Sequence, residues 1–266
     1  MCYINGVKIS LADYISYKEK QKELKHLNEV LLLQPAKRGF DYSVWPIIKP
    51  SIDGKDWDVV AMEWGFIPSY LSNREAVEKF RNGYKDANGK FHIGYTTLNA
   101  MGEEILNKTM FKEAALNRRC LILSSGFYEH RHVSVMGKKG ALLKTPVKYP
   151  YHIAVKEKSI FLMAGIYNTW TDQQTGETID SFAILTTKAN SLMQQVHNSK
   201  MRMPTILNDE LANEWTEPDL SATRITKIAT NQFPSEQMSA HTVAKDFLQT
   251  DEPDEAFIYE TLEALK

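Results

Sequence analysis

A cysteine stands at position 2, directly behind Met1. Hydrolysis of the Met1-Cys2 peptide bond would free its α-amine and leave two nucleophiles on adjacent carbons. That amine has an ordinary pKa of about 7.7 to 8.0, so roughly a tenth of it is neutral at pH 7, and the thiol is the most nucleophilic of side chains. Such an aminothiol attacks one aldehyde twice, giving first a Schiff base and then a five-membered thiazolidine ring. An internal cysteine cannot do this. Position alone also admits an incidental Cys2, so the partners decide. Glu129 follows Phe127 and Tyr128 in a stretch otherwise headed for a core. Burial there would raise its pKa and suit it to general acid/base work, and a salt bridge on a solvent-facing strand is the alternative. His197 sits in a loop with Asn198, Lys200, Arg202, Met203 and Pro204. A lone histidine is more often structural than catalytic, but this one has a nucleophile elsewhere in the chain that needs a proton carrier.

Those side chains need rigid elements beneath them. From residue 10 to residue 34 there is neither Gly nor Pro, and apolar residues recur at helical spacing, which predicts one or two helices. Residues 40–48 and 57–64 are rich in β-branched and aromatic residues around Asp53-Gly54, predicting a hairpin. The second run ends in Trp64-Gly65-Phe66-Ile67-Pro68, which reads either as aromatic core at a strand end or as a rim beside a cleft. A short helix is predicted over residues 73–81 and a polar loop over 82–90. A β-type run then reaches Asn99 and passes into a helix signal, so Asn99 is either a cap or a side chain aimed into a site. Residues 118–123 read as a buried strand that makes Cys120 a core residue, and Ser124-Ser125-Gly126 as a tight turn. Residues 133–148 carry Lys138, Lys139, Lys144 and Lys148 in a basic hairpin loop that is either solvated or in contact with phosphates. Three further strands are predicted over 149–155, 160–170 and 179–187. A helical turn through Met193 then leads to the His197 loop.

The chain has 266 residues, 43% hydrophobic and 24% charged, with a formal charge of −1. That suits a soluble globular protein and argues against a global basic field, although a local basic patch remains open. Two cysteines, Cys2 and Cys120, fit neither a disulfide framework nor a metal site, so no metal or other cofactor is expected. No apolar run approaches the roughly 18 residues of a membrane span, and no signal-peptide pattern opens the chain. A cytoplasmic protein with no membrane partner is expected. The fold class is α+β in a single domain over residues 1–250, followed by an acidic C-terminal tail over 251–266.

In order along nearly the whole chain, several motifs resemble the SRAP family, the SOS response-associated peptidases. They are Met1-Cys2, Trp64-Gly65-Phe66-Ile67-Pro68, Asn99-Ala100, Arg119-Cys120-Leu121-Ile122 with Gly126-Phe127-Tyr128-Glu129, Gly165-Ile166-Tyr167, residues 182–190, and His197-Asn198 with Arg202-Met203-Pro204. The resemblance implies a barrel-like mixed β core with the site in a cleft. It also implies a function: shielding abasic sites in single-stranded DNA, especially at single-strand/duplex junctions, through a thiazolidine crosslink to the N-terminal cysteine. Carried over by motif, Cys2 is the nucleophile, Asn99 orients the N-terminus and sugar, Glu129 manages protons, and His197 is the acid that assists ring opening. The peptidase label implies self-removal of Met1, for which a methionine aminopeptidase is the alternative. DNA contacts are expected from Trp64, Phe66, Pro68, Lys138, Lys139, Lys200, Arg202, Met203 and Pro204. No obligate protein partner is expected.

Two departures stand out. Tyr3-Ile4 replaces a common Gly-Arg, and Met101 replaces an arginine. Losing two phosphate-binding arginines should weaken DNA binding unless Lys138, Lys139, Arg118, Lys200 or Arg202 compensates. The competing readings are a divergent cysteine peptidase and a non-covalent single-stranded DNA-binding module.

Overall fold

The computed structural model describes residues 2–8, 24–25, 33–52, 57–137 and 140–266. In chain order the strands are β1 (Ile4–Lys8), β2 (Leu24–Lys25), β3 (Leu33–Arg38), β4 (Val44–Pro50), β5 (Trp57–Trp64), β6 (Tyr84–Lys85), β7 (Phe91–His92), β8 (Asn99–Met101), β9 (Arg119–Ser124), β10 (Gly126–Val133), β11 (Val147–Val155), β12 (Phe161–Thr171), β13 (Thr178–Lys188), β14 (Arg202–Pro204), β15 (Ile206–Leu207) and β16 (Met238–Thr242). The helices are α1 (Arg74–Asn82), α2 (Thr109–Asn117), α3 (Ser191–Val196), α4 (Asp209–Trp215) and α5 (Ala222–Ala229).

Strands β4, β5, β13, β12 and β9 close into a ring, because the antiparallel run β13-β12-β9-β4-β5 is joined end to end by a parallel β13–β5 pairing at Ser181↔Glu63 and Phe182↔Trp64. Central β9 is buried along its whole length, its apolar run Cys120 to Leu123 flanked by buried, hydrogen-bonded Arg119 and Ser124. At Gly165, paired with Cys120, an added Cβ would meet Ile122 Cδ1 at 2.3 Å and the Ala183 carbonyl at 3.1 Å, so a side chain there would make the barrel lining shift. Arg119 is buried and donates to the carbonyls of Ala115, Leu116, Trp215, Glu217 and Pro218, binding β9 to the ends of α2 and α4. A second sheet, ordered β16-β11-β10-β1-β3, carries the N-terminus beside this barrel. Asn73, Asn190, Asn208 and Ser221 cap α1, α3, α4 and α5 through side-chain oxygens that accept backbone N–H bonds.

The strands predicted over 57–64, 118–123, 149–155, 160–170 and 179–187 are found as β5, β9, β11, β12 and β13. The predicted strand at 40–48 begins later, at Val44, after a 3₁₀ turn at Gly39–Asp41. Most of the helical stretch predicted over 10–34, with Asp53-Gly54 and the Lys138-Lys139 tip, lies outside the described residues. Where that stretch is described, at β2 and the start of β3, it is strand: pairing with β5 and β1 overrides the helical spacing. The loop predicted over 82–90 contains β6 and leads into β7, which form a small hairpin.

Residues 251–266 are not a detached tail. Val243 bridges to Ala256, the Phe257 N–H donates to the Thr242 carbonyl at 2.8 Å, and Tyr259, Leu262 and Leu265 pack against the core. None of the described helices is long and apolar enough to cross a membrane.

Candidate active site

β1 pairs with β10 only as far as Ile4↔Tyr128, so β10 outruns it. The second half of β10 would expose an unpaired edge, but the loop after α3 covers it. The His132 N–H donates to Asn198 Oδ1 at 2.9 Å, and Asn198 Nδ2 donates back to the His132 carbonyl at 2.8 Å. One side-chain amide thus stands in for a neighbouring strand. This brings His197, the residue that ends α3, against Glu129 on β10, with His197 Nε2 3.6 Å from Glu129 Oε2.

His197 Nδ1 lies 2.9 Å from the Arg202 carbonyl. A carbonyl can only accept, so Nδ1 carries the hydrogen and Nε2 presents a lone pair toward Glu129. Both side chains are buried, Glu129 at 7% and His197 at 5% exposure. Burial pushes the Glu129 carboxyl up to about 7 and the His197 imidazole down to about 4. At neutral pH the imidazole is therefore uncharged and the carboxyl stands near half protonation. An imidazole so lowered acts as an acid only after taking a proton through Nε2.

Asn99 opens β8, which lies parallel to β13 with Asn99 opposite Ile184. Its Nδ2 donates to the Cys2 carbonyl at 2.9 Å, across 97 residues of sequence. Among the described residues its buried Oδ1 has no hydrogen-bond partner, an acceptor left open beside Cys2. The Cys2 thiol is fully buried, donates to the Ile4 carbonyl at 3.7 Å, and is pushed well above its usual range by burial and then by the Glu129 charge. Cys2, Asn99, Glu129 and His197 therefore meet at the middle of β10, where its pairing with β1 ends.

A cleft of about 370 Å³ opens over this corner, lined by Tyr3, Glu129, His130, His132, Lys148, His197, Ser199 and Lys200. Burial, then the nearby Lys148 charge, hold His130 and His132 below the ordinary imidazole range. Its cationic groups are therefore exposed Lys148 and Lys200. A larger cavity of about 410 Å³ near Lys49 and Arg119 holds none of the four converging residues.

Several expected DNA-contacting side chains point inward instead. Trp64 stacks on Phe182 at 6.2 Å and donates from Nε1 to the Leu98 carbonyl at 3.0 Å, so it is a floor beneath Asn99 and not a rim. Phe66 is buried edge-on against Phe111, and Thr97 Oγ1 donates to its carbonyl at 2.7 Å. Gly65 makes this turn at φ 138°, where a Cβ would strike the Tyr42 ring at 2.6 Å. Pro68, Met203 and Pro204 are likewise buried. The Arg202 guanidinium is taken up by Glu103, with bonds of 2.9 and 2.8 Å, and by the Thr186 carbonyl at 2.5 Å. It braces β14 against β13 and has little freedom to meet a phosphate. Arg118 is similarly engaged with Glu113. Lys148, which the sequence places in the basic loop, pairs with His132 across β10 and β11 and so stands at the cleft, beside His130, His132 and Ser199, which the sequence does not single out. Tyr70 and Tyr95 are exposed on either side of Phe80.

The profile of the SOS response associated peptidase (SRAP) family matches residues 30–249. The abasic site processing protein YoqW of Bacillus subtilis is 27% identical over 192 residues, 72% of each protein. The abasic site processing protein HMCES of Xenopus tropicalis is 26% identical over 184 residues, 62% of this chain and 47% of that longer protein. A crystal structure of a protein from Bacteroides thetaiotaomicron superposes with a TM-score of 0.77 at 30% identity, covering 97% of this chain and all of that one. With the family profile spanning most of the sequence, the chain belongs to the SRAP family.

Proposed function

We propose that this protein captures abasic sites in single-stranded DNA, alone or beside a duplex, by forming a thiazolidine between the sugar aldehyde and Cys2 after Met1 has been removed. The observation that carries this reading is the Asn99–Cys2 carbonyl bond in the same buried corner as the Glu129–His197 pair. The names of the relatives, abasic site processing proteins, support the substrate class.

The chemistry follows from the groups present. The neutral α-amine of Cys2 adds to C1′ of the ring-opened sugar. The resulting hydroxyl leaves as water when it receives a proton, giving an imine. The thiol then adds to the imine carbon as its proton moves to nitrogen, so the net change is aldehyde plus aminothiol to thiazolidine plus water. Glu129, near half protonation at neutral pH, suits both halves of that exchange: it takes a proton from the ammonium and returns one to the leaving hydroxyl. His197 Nε2 holds a proton in transit. Asn99 Oδ1, buried and open, accepts from the amine or a sugar hydroxyl. Lys148 and Lys200 meet the flanking phosphates, and Tyr70 and Tyr95 offer exposed rings to unstacked bases.

The peptidase reading has less support. The Cys2 thiol is held neutral, and the histidine nitrogen that would activate it faces Glu129 instead. The decisive measurement is intact mass of the purified protein before and after incubation with a single-stranded oligonucleotide bearing one abasic site. Loss of the methionine mass followed by a stoichiometric adduct is expected, and Cys2→Ala should give none. An equal adduct with Cys2→Ala, or no adduct from Met1-free protein, overturns the proposal.

A further inference from the structure

The elements carrying Glu129 and His197 are tied a second time, by the C-terminal segment. After Tyr259, which packs edge-on against Tyr149 at 5.0 Å and donates to the Val243 carbonyl at 2.8 Å, the chain runs back toward the site. Arg131 Nη1 donates to the Glu263 carbonyl at 2.6 Å. Gln195 Nε2 donates to the Lys266 carbonyl at 2.9 Å, and the Lys266 N–H donates to Gln195 Oε1 at 2.7 Å. Arg131 is two residues beyond Glu129 on β10, hence on the same face of the strand. Gln195 is two residues before His197, in the last turn of α3. Leu262 and Leu265 anchor the span between these contacts against the core. The segment lies wholly outside the residues that match the family profile, 30–249, so this tie is not part of the matched pattern.

We infer that residues 257–266 form a clamp across β10 and α3, and that Arg131 and Gln195 are positioning residues that hold Glu129 and His197 in register for proton transfer. The catalytic part of this rests on the capture reaction proposed above; the mechanical part does not. The 3.6 Å gap between Glu129 and His197 is just beyond hydrogen-bond length, so it closes or opens with a small shift of α3 against β10. Asn198 secures one side of that contact at His132, and the clamp secures the other. The bonds run to main-chain groups of the segment. Surface charge reversals along its acidic residues should therefore leave the clamp intact.

The test uses the full chain carrying Arg131→Met together with Gln195→Leu, which removes the three clamp bonds while keeping the side-chain bulk. With abasic single-stranded DNA, the concentration giving half-maximal capture should stay within about twofold. The maximal rate of adduct formation should fall by about tenfold to a hundredfold, the scale set by an ångström of misplacement. Arg131→Lys, which keeps a donor, should recover most of that rate in a chain with native Gln195. In the DNA-free protein, amide hydrogen exchange should quicken at His132, His197 and Met201 in the double variant. An unchanged maximal rate, or a loss confined to DNA affinity, overturns the positioning role. Unchanged exchange at those amides overturns the clamp. If the unaltered protein forms no adduct, it is the proposed function that fails, and the exchange measurement alone decides the clamp.

Discussion

Replacing Glu129 with glutamine should make stability rise with pH where the wild type is nearly flat, with a magnitude set by burial. A Glu carboxyl titrates near 4.5 when unfolded and near 7 in this site. Because the folded-state pKa is raised, the stabilisation is complete below the unfolded value and is lost as pH climbs through the folded one. Between those values the unfolded chain has released the proton and the native one keeps it, so unfolding free energy falls with pH by about 1.4 kcal/mol per unit. Integrated from pH 4 to pH 8, the loss is about 3 kcal/mol. His197, lowered to about 4, works the other way: its stabilisation is present above its unfolded value and is lost as pH falls toward 4. In the wild type the two slopes offset each other through pH 5 to 6. Glu129→Gln removes one of them. Urea denaturation of both proteins, bearing the same N-terminus, should show the variant gaining about 3 kcal/mol on the wild type between pH 4 and pH 8. Any packing difference between Glu and Gln is a constant offset across that range. A difference that does not change with pH would refute the assignment of a buried, reluctantly ionised carboxyl.

Asn99→Ala leaves the Cys2 carbonyl without its donor. It should slow single-turnover capture of an abasic oligonucleotide by several-fold to about tenfold, measured by gel-resolved adduct against time, and an unchanged rate would remove Asn99 from the site. Lys148→Gln with Lys200→Gln should weaken non-covalent binding of single-stranded DNA, measured by fluorescence anisotropy with Cys2→Ala protein. It should also flatten the log affinity against log salt slope by about 1.4, or about 0.7 for each phosphate no longer neutralised. A slope that does not change means the strand runs elsewhere.

Legibility in the sequence followed how local each cause is. Strand β9 announces itself because six consecutive buried positions need an unbroken run of residues that tolerate burial. Asn73 and Asn190 announce helix starts because a cap is a local bond. The burial of Glu129 was legible from its aromatic neighbours, Phe127 and Tyr128. The direction of a side chain was not: Trp64 and Phe66 lie beside the site in sequence and structure, yet they face inward because the parallel β13–β5 pairing turns them there. That pairing joins residues more than a hundred apart, and nothing local encodes it. Arg202 reads as a spare cation until Glu103 is brought to it through β8 and β13. The segment from residue 251 reads only as an acidic tail because its holding contacts run largely through main-chain groups, which have no residue signature.

The burial of the Cys2 thiol bears on the protein's durability. Oxidants and alkylating agents attack the thiolate, and this sulfur is both enclosed and held as the neutral thiol. A surface cysteine with a free amine beside it would be consumed by peroxide, by disulfide exchange or by any passing metabolic aldehyde. In the proposed capture reaction the sulfur is a latent reactant, released to react after the amine has engaged an aldehyde small enough in cross-section to reach it. Peroxide sensitivity of the resting protein should accordingly be low, and it should rise in variants that loosen the corner around Asn99.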